Sequence, residues 1–157
     1  MTAEPEPISA AGAGSCPAAA LPRHELFEHA ADIGVRGFGR TKSQAFAEAA
    51  CAVTALVCDP CLVRDFVTVH FSCTAPDDEL LLARWLNEVI FAMDNRRLLF
   101  RRFDVVVGDG WLRAVGHGEP LQRDRHRPTV EPKGATLTEL HVRRVPGGWI
   151  AQCVVDV

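Results

Sequence analysis

The sequence predicts an α+β domain in which a mostly antiparallel sheet carries two main helices. Two segments, Ala45 to Val57 and Leu82 to Met93, place apolar residues at the three- and four-residue spacing of a helix face. Most other apolar segments alternate as strands do, and the later ones form pairs around short glycine-containing turns, which favours antiparallel hairpins. With 157 residues, 48% of them hydrophobic, the chain suits one domain with a substantial core.

The N-terminal segment differs in composition from the rest. Residues 1–22 consist largely of Ala, Gly, Pro and Ser and offer little that a core could bury, so we expect a disordered leader there and a single domain over 23–157. Short strands are predicted over 24–28 and 34–40, and Asp32 lies between them. Glycines on the second strand allow another backbone or an ion to approach closely.

The first helix has a clear start and stop. Thr41-Lys42-Ser43-Gln44 is a capping box, in which the Thr41 hydroxyl accepts from the amide of Gln44 and the Gln44 side chain returns to the amide of Thr41. Asp59-Pro60 ends this helix because proline removes a backbone donor and blocks continuation.

The second half of the chain alternates a strand, a helix and hairpins. A strand is predicted over 66–73, and a second helix begins within 76–79, where acidic residues suit the helix dipole, and ends at Asp94-Asn95. Two hairpins follow, 98–107 with 111–119 and 137–145 with 149–157, and a Pro-Gly pair in the second indicates a type II turn. Residues 122–136 between them read as a polar loop, either a functional segment or a solvated connection.

Charge and hydropathy narrow the functional classes. The net charge is −3, and because Glu4 and Glu6 lie in the leader, residues 23–157 carry 17 positive and 18 of the 20 negative side chains, which is not the balance of a general polyanion binder. No run approaches the roughly 18 apolar residues of a membrane span, and no signal-peptide pattern opens the chain. A cytoplasmic protein is therefore expected.

The six cysteines do not indicate a disulfide framework or a zinc site. Only Cys58 and Cys61 have a suggestive spacing, and they follow a helix rather than open one. A zinc ribbon needs a second such pair or two suitably spaced histidines, and the sequence has neither. We expect ordinary reduced thiols.

Asp32 and Asp156 are the sharpest candidates for chemistry. If the first and last strands are neighbours, these two carboxylates, a backbone carbonyl and the terminal carboxylate of Val157 converge. All are hard oxygen donors, which suit Ca²⁺ or Mg²⁺ rather than zinc. The alternative is that Asp32 caps a turn and Asp156 is a terminal acid without a partner.

Two other groups of side chains carry weaker functional indications. His29 and His126 could transfer protons near neutral pH, but no nucleophile stands at a recognisable spacing, so hydrogen bonding or surface exposure is the competing interpretation. Arginines cluster in two patches that could grip phosphates or simply face solvent or a protein. These arginines are Arg96, Arg97, Arg101, Arg102, Arg123, Arg125 and Arg127.

Four motifs in order resemble the archease family over residues 24–157. They are His29-Ala30-Ala31-Asp32-Ile33-Gly34, the helix segment 84–90, Arg125-His126 with 131–136, and Val154-Val155-Asp156-Val157. The resemblance implies a small protein, not itself a catalyst, that assists the GTP-dependent RNA-splicing ligase, which joins 3′-phosphate or 2′,3′-cyclic phosphate ends to 5′-hydroxyl ends. It would accelerate guanylylation of the ligase's active-site histidine and support multiple turnover. Its contact with RNA would be only indirect, through the ligase.

The resemblance also implies a divalent metal, with calcium as first choice and magnesium or manganese as alternatives. The family's metal-binding acids correspond to Asp32 and Asp156, with Val157 as a carbonyl or carboxylate donor. His29, His126 and Lys133 correspond to the partner-facing or functional loop positions.

Three residues depart from the family pattern. Ala30 replaces the usual Thr, and Pro132 and Gly134 replace the usual Val and Ala around Lys133. Two functions from other classes compete with the activator interpretation. One is a small metal-dependent phosphoester hydrolase that uses the histidines and Asp32, and the other is an RNA-binding chaperone that uses the arginine patches.

Overall fold

The computed structural model describes residues 21–157, so residues 1–20 of the predicted leader lie outside the described part of the chain. The described residues form eight strands, three α-helices and one 3-10 turn. In chain order these are β1 (Arg23–His29), β2 (Asp32–Gly39), α1 (Lys42–Val57), the 3-10 turn (Pro60–Leu62), β3 (Val67–Thr74), α2 (Asp78–Arg96), β4 (Leu98–Val107), β5 (Trp111–Pro120), α3 (Arg123–His126), β6 (Gly134–Ala135), β7 (His141–Val145) and β8 (Gly148–Asp156).

The strands form two antiparallel sheets. The first has the order β1-β2-β8, and β6 and β7 both pair with the free edge of β8; the second has the order β3-β5-β4. This confirms the α+β class with two main helices, although the predicted single sheet is divided in two. The neighbour of the last strand is β2 rather than the first strand. Both long helices contact both sheets, so the core lies where the helices meet the inner sheet faces.

Helix α1 begins with a capping box at Thr41, and one of its two predicted hydrogen bonds has a different partner. The Thr41 hydroxyl accepts from the amide of Gln44 at 3.1 Å, as predicted. The Gln44 side chain returns to the amide of Arg40 at 2.8 Å, not to that of Thr41. The helix ends at Val57, just before the predicted stop.

Helix α1 lies directly on β2 because small residues meet at the contact. A Cβ at Gly37 would lie 2.3 Å from the carbonyl oxygen of Ala45 and from the amide nitrogen of Ala49. Any larger residue at Gly37 would therefore push the helix backbone off the sheet. This close contact fixes α1 against the first sheet, whose β1–β2 hairpin carries Asp32.

Helix α2 is the longer helix and is buried along its predicted apolar face. Asp77 caps it by accepting from the amide of Leu80 at 2.8 Å. It continues past the predicted end at Asp94-Asn95 and stops where Arg97 adopts a left-handed conformation with φ 54°. No helix within residues 21–157 is long and apolar enough to cross a membrane.

Aromatic side chains tie α2 to the second sheet and to α1. The indole Nε1 of Trp85 donates to the carbonyl of Phe46 at 3.0 Å. Its ring makes edge contacts with Phe71 and Phe103, with centroids 5.2 and 5.4 Å apart. Buried indole donors need such a partner, so Trp85 contributes both packing and a satisfied hydrogen bond.

Both predicted hairpins are confirmed, but the polar loop contains more structure than predicted. Gly147 has φ 86°, as the predicted type II turn requires. Strand β7 starts at His141 instead of residue 137, because residues Gly134–Ala135 already pair with the end of β8. The region 122–136 thus holds a helical turn, α3, and a two-residue strand, β6.

Candidate functional site

The β1–β2 hairpin places His29 and Asp32 side by side. Only Ala30 and Ala31 separate the strands, and Ala30 turns the chain with a φ of 53°. His29 and Asp32 are the first pair of the ladder, so their side chains project from the same face of the sheet. Asp32 therefore belongs to a strand rather than to the turn in which the sequence placed it.

The last strand brings Asp156 to the other side of Asp32. Ile33 of β2 pairs with Val155 of β8, so the next position along the ladder sets Asp32 opposite Asp156. Residues in directly opposite positions have Cβ atoms about 4.5–5.5 Å apart. On the far side of β8, Gly134 pairs with Asp156 and presents no side chain there.

These acids point away from the core. Val35 and Val155 are fully buried against the helices, and side chains alternate along a strand, so Asp32 and Asp156 lie on the outer face. Asp156 is exposed and Asp32 is half-buried. The amide of Val157 donates to the Asp32 carboxylate at 3.4 Å, which holds the chain terminus against that acid. We call Asp32, Asp156 and Val157 the acid row, and His29 lies beside it on the hairpin.

Lys133 lies next to the acid row. Its amide donates to the carbonyl of Asp156 at 2.7 Å, and its exposed ammonium has no carboxylate within 4.0 Å among residues 21–157. Pro132 is buried and Gly134 pairs normally, so these two departures from the family pattern leave the strand pairing intact.

Asn87 is a site-supporting residue that the sequence analysis did not single out. Its side-chain oxygen accepts from the amide of Ala135 at 2.8 Å, and its nitrogen donates to the Ala135 carbonyl at 3.4 Å. These bonds attach β6 to α2 and so fix the segment beside the acid row. An asparagine within a helix is a mild signal, since it lowers helix propensity and competes for backbone hydrogen bonds.

His126 lies away from the acid row in a buried cluster. It is 2% exposed, and its Nδ1 accepts from the amide of Gln122 at 2.8 Å. Its Nε2, 2.9 Å from Glu119, is therefore assigned as a donor to that carboxylate. With both nitrogens paired, His126 positions α3 and offers no free atom to a partner or substrate.

Glu119 is the centre of this buried cluster. Besides His126, it accepts from the Arg125 guanidinium at 2.5 Å and from the amide of Arg64 at 2.8 Å. Burial by itself raises the pKa of the carboxyl. Hydrogen bonds from Arg125, the Arg64 amide and His126 outweigh burial and lower the pKa of the carboxyl from 4.5 to about 2.

Three of the seven patch arginines are committed to internal contacts. Arg101 donates to the carbonyls of Cys61 and Val63, and Arg125 donates to Glu119 and to a carbonyl of the 3-10 turn. Arg102 pairs with Asp65, which precedes β3, and with Asp104 of β4. These contacts reduce the charge available for gripping phosphates.

The Cys58–Cys61 pair contains a buried thiol, Cys58, and an exposed one, Cys61. Both thiols are free, and the Cys58 thiol donates to the carbonyl of Asp59 at 3.6 Å. Burial, together with the negative charges of Asp59 and Glu119, raises the pKa of Cys58 to about 11, so this thiol is not a nucleophile at neutral pH.

The acid row offers oxygen ligands only. Within residues 21–157 no three His, Cys, Asp or Glu side chains are grouped to hold a metal ion. If a metal binds here, the donors would be the carboxylates of Asp32 and Asp156 and the backbone oxygen of Val157, and such oxygens suit a hard divalent cation better than zinc. Calcium takes about 6–8 oxygens, so the remaining positions would be open to water or to a partner.

Comparison with known proteins identifies the family. Residues 24–157 match the Archease protein family (MTH1598/TM1083). The chain is 33% identical over 138 residues to protein archease of Pyrococcus furiosus, covering 85% of this chain and 97% of that protein. It is 34% identical over 137 residues to protein archease of Methanopyrus kandleri, covering 85% and 98%.

Solved structures agree with this result. The solution structure of Methanobacterium thermoautotrophicum protein 1598 superposes with a TM-score of 0.75 at 27% identity, covering 85% of this chain and 98% of that chain. The Thermotoga maritima crystal structure, described as an archease and possible chaperone, has a TM-score of 0.58 at 16% identity, covering 83% and 94%, and so supports the fold alone. The chain belongs to the archease family.

Proposed function

We propose that this protein is a metal-binding cofactor protein of the GTP-dependent RNA-splicing ligase, which promotes guanylylation and multiple turnover of that enzyme. The observation that carries the proposal is the acid row, in which Asp32 and Asp156 occupy opposite positions on neighbouring strands. The same two residues are the metal-binding acids implied by the family resemblance. The proposal includes a cytoplasmic location, the compartment in which the protein would bind such a ligase.

The residues of the acid row have distinct roles in this proposal. Asp32 and Asp156 hold a divalent cation, calcium before magnesium or manganese, and Val157 adds a backbone oxygen. The bound cation would supply a positive centre that accepts oxygen ligands from the partner. His29 lies beside Asp32 on the hairpin, and the backbone amide of Lys133 is bonded to the carbonyl of Asp156; we assign both residues to contact with the partner and not to the metal site.

The remaining chemistry of the chain supports an activator more than an enzyme. His126 has both ring nitrogens paired inside the protein, and the Cys58 pKa is raised. His126, one of the two histidines on which the hydrolase alternative depends, is then not free to act as a base towards a phosphoester, and Cys58 does not offer a nucleophile. Internal pairing of Arg101, Arg102 and Arg125 likewise weakens the RNA-chaperone alternative.

Guanylylation of the ligase tests the proposal directly. Labelled GTP and purified ligase are mixed with wild-type protein, with Asp32→Asn, with Asp156→Asn, or with a matched control, Asp109→Asn, which removes an exposed acid from the distant β4–β5 turn. We expect the wild type and the control to accelerate formation of the covalent ligase–GMP adduct. Each acid-row variant should lose at least tenfold of that acceleration.

Two results would contradict the proposal. One is full stimulation by Asp32→Asn and Asp156→Asn, with circular dichroism and thermal melting showing that both variants are folded. The other is the lack of any stimulation by the wild type at calcium concentrations that saturate the protein. Hydrolysis of nucleotides or phosphoesters by the protein alone would instead favour the enzyme alternative.

A further inference from the structure

A groove runs along the C-terminal half of α2, between that helix and the segment 128–133. It consists of two adjoining cavities, of about 290 Å³ towards Arg97 and about 520 Å³ towards Lys133. Ile90 and Asp94 from the helix line both cavities, and so does Glu131 from the opposite wall, so the two cavities are neighbours along the helix. We call this space the α2 groove.

The walls of the α2 groove are fixed. The amide of Thr129 donates to the carbonyl of Val57 at 3.0 Å, and the amide of Lys133 donates to the carbonyl of Asp156 at 2.7 Å. Both ends of the segment are therefore hydrogen-bonded to regular structure. A partner would meet a preformed groove and would not have to order it, which lowers the cost of binding.

The floor and rim of the α2 groove are apolar. Leu99, Met93 and Val130 line the smaller cavity. Its volume of about 290 Å³ is enough for one large apolar side chain but is at the lower limit for a small-molecule site. Phe91 stands on the rim of the larger cavity with 63% of its surface exposed, a second apolar contact point.

Charges along the α2 groove follow an order. Arg97 and Arg123 lie at one end, Asp94 and Glu131 in the middle, and Lys133 together with Glu88 at the other end. Among residues 21–157, no Lys, Arg or His nitrogen lies within 4.0 Å of the Asp94 or Glu131 carboxylates. Two unpaired acids on facing walls repel each other, and a cation between them would relieve that repulsion.

We propose that the α2 groove binds an extended segment of the protein partner. That segment presents an Arg or Lys side chain between Asp94 and Glu131, and an apolar side chain to the cavity floored by Leu99. A nucleic acid fits less well, because its uniform negative charge would meet both carboxylates. The inference rests on the proposed function, in which the partner is the RNA-splicing ligase, and the groove ends at Lys133, whose backbone amide is bonded to the carbonyl of Asp156.

Affinity measurements on the full chain test this inference. Binding of purified ligase is measured by calorimetry for the wild type and for a double variant, Asp94→Asn with Glu131→Gln, which removes both charges and keeps side-chain shape. Asp109→Asn is the matched control. We expect the double variant to bind at least tenfold more weakly, with a smaller loss of affinity between low and high salt, and the control to match the wild type.

A second variant and a cross-link examine the apolar part. Val130→Trp should fill the smaller cavity and weaken binding at least tenfold while the protein stays folded. A photoreactive benzoylphenylalanine in place of Phe91 should cross-link to a ligase peptide that holds an Arg or Lys next to an apolar residue. Cross-linking to RNA, or to no ligase peptide, would overturn the inference.

The outcomes separate this inference from the proposed function. If the wild type binds and stimulates the ligase, and the double variant and Val130→Trp bind equally well, the groove is not the docking site and the activator role stands. If the wild type neither binds nor stimulates the ligase, the activator role is wrong, and a ligase segment is not the ligand of the α2 groove.

Discussion

The buried cluster around Glu119 allows a stability prediction for Glu119→Gln. The side chain is 1% exposed and accepts hydrogen bonds from Arg125, His126 and the Arg64 amide. Glutamine has the same shape, but one of its two polar atoms is a donor. It would point that donor at another donor on one side of the cluster, leaving buried polar groups without partners.

The pKa of Glu119 sets the size of the expected effect. A pKa lowered from 4.5 to about 2 corresponds to a stabilisation of about 3 kcal/mol. Breaking a buried ion pair typically costs about 3–5 kcal/mol, in line with that figure. We therefore expect Glu119→Gln to lower the free energy of unfolding at pH 7 by about 3 kcal/mol.

The same interaction predicts a pH dependence. The folded pKa lies below the unfolded one, so the stabilisation is complete above pH 4.5 and is lost as the pH falls towards 2. The difference between the wild type and Glu119→Gln should therefore stay constant from pH 7 to about 5.5 and shrink below pH 4.5.

Urea unfolding followed by tryptophan fluorescence, at several pH values between 7 and 3, measures this difference. Asp109→Asn is the control for loss of an exposed acid and should change stability by less than about 0.5 kcal/mol. If Glu119→Gln lowers the free energy of unfolding by less than about 1 kcal/mol at pH 7, or if the difference does not diminish at pH 3, Glu119 is not the stabilising centre of this cluster.

Three further predictions concern packing, the β6 attachment and the metal. Gly118→Ala should destabilise the protein by about 3 kcal/mol in urea unfolding, because a Cβ there would lie 1.8 Å from the carbonyl oxygen of Leu99. Gly134→Ala is the comparison and should cost less than about 1 kcal/mol, because the nearest atom to its Cβ would be 3.4 Å away. Asn87→Ala should speed amide hydrogen exchange in β6 at least tenfold while α1 keeps its protection, and equal exchange in both proteins would contradict the assigned anchoring role. Calcium at about 100 times its dissociation constant should stabilise the wild type by about 2.7 kcal/mol in thermal melts and leave Asp32→Asn nearly unchanged. An equal calcium shift in that variant would place the metal elsewhere.

Local sequence signals predicted most of the fold. The Thr41 cap and the apolar spacing of both helices depend on neighbours in sequence, and both helices are confirmed, although Gln44 returns to the amide of Arg40 instead of Thr41. Strand β6 could not be predicted in this way. Its two residues, Gly134 and Ala135, are a strand only because β8 and Asn87 supply their hydrogen-bond partners.

The candidate site was predictable only in part, for the same reason. Asp32 and Asp156 were identified from residue type and position, and the structure sets them in adjacent positions on β2 and β8. That β2 rather than β1 borders the last strand depends on sheet order, which no local pattern encodes. The family resemblance assigned His126 to the functional loop, and nothing in the loop sequence indicated its buried partner, Glu119, because that residue belongs to β5. Metal binding by the acid row stays a prediction.

The most direct test of the activator role compares the first ligation with later ones. Ligase that already carries GMP is given RNA with 3′-phosphate and 5′-hydroxyl ends and excess GTP, with and without this protein. If the protein promotes guanylylation, the first round should proceed at the same rate in both reactions, and every later round should be at least tenfold faster with the protein. Acceleration of the first round to the same extent would contradict the account, because the protein would then act on the RNA or the joining step.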